Sequence, residues 1–262
     1  MHSHAFVLAL APPGESAARA WLHGELELLG QLSDKYLFYE YLVDENTPVY
    51  FAEFAASANG VGLQYLGDAH FPSMKPDRFG PEVTAAIDRR SVGVVDTEQH
   101  LDLIALRYFR CALLCHDAVD VQRALSWSRL DDLRVSSTFS PTSEAPDLRA
   151  EIAEAFQRPG GAELSTTQPL LKAALVELAE ERRRGLAFPE LCARASAKFG
   201  SAPPTPEDRQ VLGDNLLGLF AQGYLELGVW DRPFVKRPGP HPTTTALTRL
   251  QASRGQRALL IG

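Results

Sequence analysis

The chain has 262 residues, 45% of them hydrophobic, enough for one large or two small cores and too apolar for a wholly disordered chain. Its formal charge of -7 argues against nucleic acid or an anionic membrane as the main partner, because phosphate neutralisation needs clustered Lys and Arg. Three cysteines, Cys111, Cys115 and Cys192, form no disulfide framework and suit a reducing cytosol, and no uncharged apolar run approaches the ~20 residues of a spanning helix.

The run Ala5 to Ala11 is short, with no Lys or Arg before it. It reads as a strand or disordered leader over residues 1–15, not as a signal peptide. Ser16 is placed to cap a helix in which Trp21, Leu22, Leu26, Leu29 and Leu32 recur at helical spacing. A second helical piece covers Tyr36 to Leu42. Asp44 to Pro48 has turn chemistry, and Pro48 is suited to opening the next helix. That helix runs to about Ala58 with Tyr50, Phe51 and Phe54 along one side, and Asn59-Gly60 stops it. Gly62 to Phe71 reads as extended, with Leu63 and Tyr65 on one face.

Pro72 to Pro81 reads as a loop and Glu82 to Arg90 as a short helix. From Thr97 as cap, a longer helix is expected through His116, burying Leu101, Ile104, Tyr108, Ala112 and Cys115. A domain boundary is expected at about 121–133, opening a connecting segment that reaches residue 165. Within it LRVSSTFS is β-like, Asp147 to Phe156 reads as a helix, and Glu163 to Thr166 as a strand after the turn Arg158 to Gly161. The C-terminal part gives helices at Leu170–Leu178, Pro189–Phe199 and Glu207–Gln222, the last burying Leu212, Leu216, Leu219 and Phe220. YLELGVW and PFVKR are expected to form a hairpin around Asp231. Three helices and a hairpin over residues 166–237 make a winged-helix pattern, followed by an extended tail, 238–262, with a short helix near Leu247. The fold class expected is mainly α, formally α+β.

The segment Tyr36 to Ala69 carries a family resemblance. Tyr36, Leu37, Phe38, Glu40, Tyr41 and Leu42, then Asn46 and Pro48, then Tyr50, Phe51, Glu53 and Phe54, then Gly62, Leu63, Tyr65, Leu66, Asp68 and Ala69 resemble the regulatory domain that follows the catalytic domain in certain bacterial S-adenosylmethionine (SAM)-dependent methyltransferases. RYFRCALLCH at 107–116 is similar to the segment closing that domain, placed here at residues 16–120. Stretches at 166–175, 216–234 and 245–255 look like the family's C-terminal winged-helix-like domain. Two family positions commonly held by His are Tyr39 and Ala52 here, so no role of those histidines carries over.

Residue chemistry tempers this resemblance. The residues before Tyr36 are too few for a cofactor-binding domain. Gly60-Val61-Gly62 precedes an extended segment, and Gly160-Gly161 lies in a turn, so neither opens a helix onto a cofactor. Glu40, Asp44, Glu45 and Glu53 invite an acidic site for a lysine or a basic partner; the simpler reading has Glu40 and Glu53 capping helices or satisfying buried tyrosines, with Asp44 and Glu45 solvated. Tyr36, Tyr50, Phe51, Phe54 and Tyr65 are expected in the core rather than in a substrate cage. Cys111 and Cys115 lie a helical turn apart in that reading, but His116 points away and no second pair exists, against a metal. His70 and His100 are isolated, and no elbow motif marks a nucleophile.

The third C-terminal helix presents Glu207, Asp208, Arg209, Gln210, Asp214 and Asn215, an acidic balance that favours protein over DNA as its partner. The resemblance therefore implies a non-catalytic, cytoplasmic regulatory or substrate-recognition protein. It acts in trans on a SAM-dependent methyltransferase or its protein substrate, with SAM bound only by the partner and protein lysine as the target class of some relatives. A homodimer stays open. Alternatives are a winged-helix transcription regulator and the remnant of a split methyltransferase.

Overall fold

A computed structural model describes residues 17–181, 184–200, 203–231, 239–240 and 243–255. The chain forms two compact units, Met1–Ser57 and Ala58–Gly262. The architecture is α+β, as the pattern predicts. Among the described residues no helix is long and apolar enough to cross a membrane.

The first unit holds α1 (Ala17–Gln31), α2 (Asp34–Tyr41) and most of α3 (Phe51–Asn59). The cap expected at Ser16 lies outside the described residues. Ser33 caps α2, its hydroxyl accepting from the Tyr36 N–H at 3.2 Å. α3 opens three residues after Pro48, because Glu53 reaches back to accept from the Tyr50 N–H at 3.0 Å.

The second unit starts with β1 (Leu63–Asp68), which pairs antiparallel with β2 (Ala112–His116) through a bulge between Tyr65 and Gly67. Between these strands lie two 3-10 turns (Phe71–Met74 and Pro76–Phe79), α4 (Pro81–Arg90) and α5 (Gly93–Ala105). The single helix expected from Thr97 to His116 is not formed. α5 begins at Gly93, where Asp96 accepts from the Val92 N–H at 2.9 Å, and the Thr97 hydroxyl donates to the Gly93 carbonyl within the first turn. It ends where Leu106 turns left-handed at φ 50°. Of the five residues expected in its core only Leu101 is buried; Ile104 and Tyr108 are exposed, and Ala112 and Cys115 lie in β2.

A 3-10 turn (Trp127–Asp132) leads into β3 (Arg134–Ser137). Then come β4 (Ser140–Pro141), β5 (Glu154–Gln157) and β6 (Glu163–Thr166), sheet order β4-β5-β6. The helix expected over Asp147 to Phe156 is replaced by a loop and β5. Buried Glu154 accepts from the Ser143 hydroxyl and from the Asp147 N–H, and buried Lys172 donates to the Arg149 and Ile152 carbonyls. Glu154 from within the segment and Lys172 from outside it thus satisfy backbone groups there without a helix.

α6 (Pro169–Glu181), β7 (Leu186–Ala187), α7 (Phe188–Ala197), α8 (Pro206–Ala221) and β8 (Leu225–Gly228) follow, with α9 (Ala246–Ser253) near the end. Pro206 is the first residue of α8. Thr205 and Asp208 exchange reciprocal side-chain to backbone bonds, a capping box. Leu212, Leu216 and Leu219 are buried as expected, and Phe220 is half-buried, stacked on Phe71 at 5.1 Å. The core between these helices and the sheet gathers Leu130, Val135, Phe156, Leu175, Phe188 and Leu216, all essentially inaccessible.

The second sheet has the order β7-β3-β8, both pairings antiparallel. YLELGVW thus pairs with the upstream strand β3; the PFVKR half of the expected hairpin lies outside the described residues. Gly185 makes the β7 approach possible. Its φ is +69°, and a Cβ there would sit 2.6 Å from the Val135 carbonyl oxygen. Gly185→Ala is expected to destabilise the second unit by about 2 kcal/mol or more, read as a lower urea midpoint. An unchanged midpoint would contradict that packing.

Candidate functional site

Two exposed apolar surfaces stand out, one in each unit. In the first unit, α2 has no buried residue and α1 has none among its described side chains. Tyr36, Phe38, Tyr39 and Tyr41 are all exposed on α2, Phe38 and Tyr39 touching edge to face at 5.4 Å. Leu42, Val49 and Tyr50, the last 64% exposed, continue the surface beyond the helix.

This corrects the expectation that the aromatics form core. Only Phe51 and Tyr65 are buried; Tyr36, Tyr50 and Phe54 are exposed. Helical spacing places aromatics on a face but does not say what covers that face.

The polar residues of the same segment hold its shape. Asn46 donates to the Glu40 carbonyl at 2.9 Å, tying the turn to the end of α2. Glu53 is spent on the α3 cap, while Glu40, Asp44 and Glu45 lie exposed. Pro48 sits in the exposed stretch between α2 and α3.

The second surface grows out of a buried ionic network. Glu98 and Asp102 lie one turn apart on α5, and Asp68 ends β1. Arg110 donates from Nη1 to both Asp102 oxygens at 3.0 Å, and from Nη2 to the Glu98 carboxylate and to the Tyr65 hydroxyl at 3.1 Å. Arg107 pairs with Asp102 at 3.0 Å and donates to the Ser73 carbonyl at 2.8 Å. Asp68 stands 3.6 Å from Arg110 and accepts from the His70 N–H. Arg123 grips the β1 carbonyls of Tyr65 and Leu66.

Three carboxylates thus share two guanidiniums in a site where Glu98 is 1% exposed. Burial raises the Glu98 carboxyl above its ordinary range, against the pull of Arg110 and Arg107. Burial, reinforced by the Glu98 charge, likewise raises the Tyr65 phenol, which stays neutral and bonded to Arg110.

Because Arg107 and Arg110 point into the network, the residues just before and between them are turned out. Leu106, Tyr108 and Phe109 are 75%, 70% and 63% exposed, and Leu103 and Ile104 at the end of α5 are exposed beside them in sequence. The spacing Glu98, Asp102, Arg107, Arg110 was the available signal. It was absorbed into the expectation of one long helix.

Other candidates fall apart. Cys111 and Cys115 are exposed and half-buried at and beside β2, and among the described residues no three His, Cys, Asp or Glu side chains converge to hold a metal. His70 and His100 lie in separate hydrogen-bonded settings, His100 beside Ser91 and the Asp96 carbonyl. Gly62 and Gly160-Gly161 serve turns with positive φ. Burial pushes the Cys192 thiol up to about 11, which leaves it unreactive at neutral pH.

Residues 33–116 match the family described as a predicted methyltransferase regulatory domain, as the resemblance implied. An uncharacterized protein of Rickettsia prowazekii (strain Madrid E), RP789, is 30% identical over 214 residues, which cover 79% of this chain and 38% of that protein. A second from the same organism, RP027, is 25% identical over 157 residues, 58% of this chain and 62% of its own length. Two solved structures of PKMT2 from Rickettsia typhi share the fold at 25% identity. One superposes with a TM-score of 0.83 over 96% of this chain and 50% of its own. The other, in complex with AdoHcy, has a TM-score of 0.81 over 96% and 49%. The chain thus spans less than two thirds of each of these relatives.

Arg110→Gln would leave Glu98 and Asp102 buried with half their compensation, a loss of about 3–5 kcal/mol at neutral pH. Between the unfolded and the folded pKa, the folded state holds the Glu98 proton that the unfolded chain has released. The stability linked to Glu98 is therefore fully present below the unfolded pKa and lost as pH rises through the folded one. Removing Arg110 moves the folded value further up. The deficit of the variant should then shrink as pH falls from neutral towards the carboxylate range. Equal deficits in urea unfolding at pH 7.5 and pH 5 would contradict this assignment.

Proposed function

Since residues 33–116 carry the predicted methyltransferase regulatory domain, we propose that the chain is the regulatory and substrate-recognition part of a SAM-dependent methyltransferase system. It works by docking on a catalytic domain and brings no methyl-transfer chemistry of its own. The observation that carries this reading is the uncovered aromatic surface of α2 and the segment after it. A helix of eight residues with no buried side chain has only its Ser33 cap and the Asn46 bond to hold it, and short helices without packing are marginal in water. Covering Tyr36, Phe38, Tyr41 and Tyr50 with a partner supplies the missing burial, and such aromatics are the common anchors of protein interfaces.

SAM then belongs to the partner, whether that domain is a separate chain or part of the same polypeptide. The placement of the glycine pairs in turns supports this. Protein lysine is the target class the resemblance suggests, and the likeness to PKMT2, a protein-lysine methyltransferase, favours it.

The C-terminal half supports a winged-helix-like reading. The order α6, β7, α7, α8, β8 brings three helices against a three-stranded sheet in which β3 takes the central place. Its use for protein contact fits better than DNA reading. The one cation among the described residues of α8, Arg209, is bound to Asp131, and Glu207, Asp208 and Asp214 surround it in sequence.

Calorimetry of the purified chain with SAM should show no binding, and micromolar affinity would overturn the assignment of the cofactor to the partner. A photoreactive residue at Phe38 should cross-link, in the native cell, to a polypeptide that binds SAM. Cross-links only to other proteins would contradict the docking role. Tyr36→Ser with Phe38→Ser should shift the unfolding free energy by no more than about 0.5 kcal/mol and weaken that partnership at least about tenfold.

A further inference from the structure

A small cavity of about 70 Å³ lies where the end of β3 meets the start of β8, lined by Ser136, Ser137, Thr138, Arg158, Tyr224 and Glu226. Its lining shares no residue with the aromatic surface or the ionic network. Its size is far below the ~300 Å³ at which drug-sized ligand pockets begin, so it fits a head group and not a nucleotide or SAM.

The donors around this cavity are held but not consumed. Arg158 leaves the β5–β6 turn, donates from Nη1 to the Gly223 carbonyl at 3.1 Å, and lies against the rings of Phe139 and Tyr224, each centroid 5.8 Å away. These contacts fix the guanidinium without neutralising it. Among the described residues it makes no ion pair, whereas Arg107, Arg110, Arg134, Arg194 and Arg209 all do.

Ser137 is 4% exposed, and its oxygen accepts from the Phe139 N–H at 3.0 Å. Among the described residues the hydroxyl proton has no acceptor. The Ser136 and Thr138 hydroxyls make no hydrogen bond among the described residues either. A fixed guanidinium and hydroxyl protons lacking acceptors, on the wall of one cavity, ask for a ligand that only accepts.

We propose that this cavity binds a small oxyanion, a phosphate or carboxylate head group, with Arg158 as the charge partner and Ser136, Ser137 and Thr138 as hydroxyl donors. Glu226 lines the same cavity and is exposed, so its carboxylate opposes the anion through solvent and limits affinity. The site therefore suits recognition of a group presented at high local concentration. A phosphorylated or C-terminal group on a docked molecule is such a group, and tight capture of the ion itself is not expected.

Inorganic phosphate and, separately, acetate are titrated into the purified full chain at constant ionic strength set with chloride, following backbone amide shifts by NMR. Saturable shifts at residues 136–138 and 223–226, with a dissociation constant on the order of 1 mM for one of the two anions, are expected. Arg158→Gln should weaken binding at least about tenfold and Glu226→Gln should tighten it by roughly threefold. Should Arg158→Gln fail to fold, Ser136→Ala with Thr138→Ala, both on accessible side chains, should weaken binding severalfold. Shifts that never saturate for either anion, or saturable binding that is indifferent to these substitutions, would overturn the proposal. Saturation by phosphate alone or by acetate alone would support it and identify the head group.

Discussion

An apolar helix face must be buried, and two helices of the first unit have not met that condition within it. α1 and α2 carry Trp21, Phe38, Tyr39 and Tyr41 into solvent, while the second unit closes a dense core around α6, α7 and α8. The contrast is physical. Burying an aromatic side chain stabilises by roughly 2–3 kcal/mol, and a helix that leaves all of its aromatics exposed forgoes that term throughout. The functional reading follows from where that deficit lies, in the segment that matches the methyltransferase regulatory domain.

The second unit shows the opposite strategy. Arg107 and Arg110 are drawn inward by Glu98, Asp102 and Asp68, and the chain between them is turned out as a consequence. Such a network contributes less to net stability than an apolar core of equal volume, because five charges lose hydration together. What it provides is a fixed geometry. β1, α5 and the segment leading into β2 meet in it, and that segment carries exposed Leu106, Tyr108 and Phe109. Preorganised aromatics lose less entropy on meeting a partner than mobile ones.

Much of this was legible in the sequence. The leucine spacing of residues 170–220 gave its helices, since each turn satisfies its own backbone and declares its buried face. The Tyr36 to Ala69 motif pointed to the family whose model matches residues 33–116, and Glu53 as a cap was the simpler of two readings and the right one. The failures share a cause. Residues 97–116 have helical spacing, yet β2 forms because β1, some 50 residues earlier, offers it a partner. Residues 147–156 lose their helix to Glu154 and Lys172, whose bonds span up to 23 positions in sequence. Tyr36, Tyr50 and Phe54 were misplaced because a core face and an uncovered apolar face have the same composition. Non-local pairing and the identity of the covering surface are not encoded in local period.

The most direct measurement of the central claim is amide hydrogen exchange over α1 and α2, with the chain alone and with the SAM-binding partner proposed for it. Alone, these helices should exchange far faster than α6 to α8, whose opening tracks global unfolding. With the partner, protection of residues 17–41 should rise at least about tenfold while α6 to α8 stay unchanged. Protection of α1 and α2 in the isolated chain equal to that of α6 to α8 would contradict the account, because helices already stabilised need no surface to cover them.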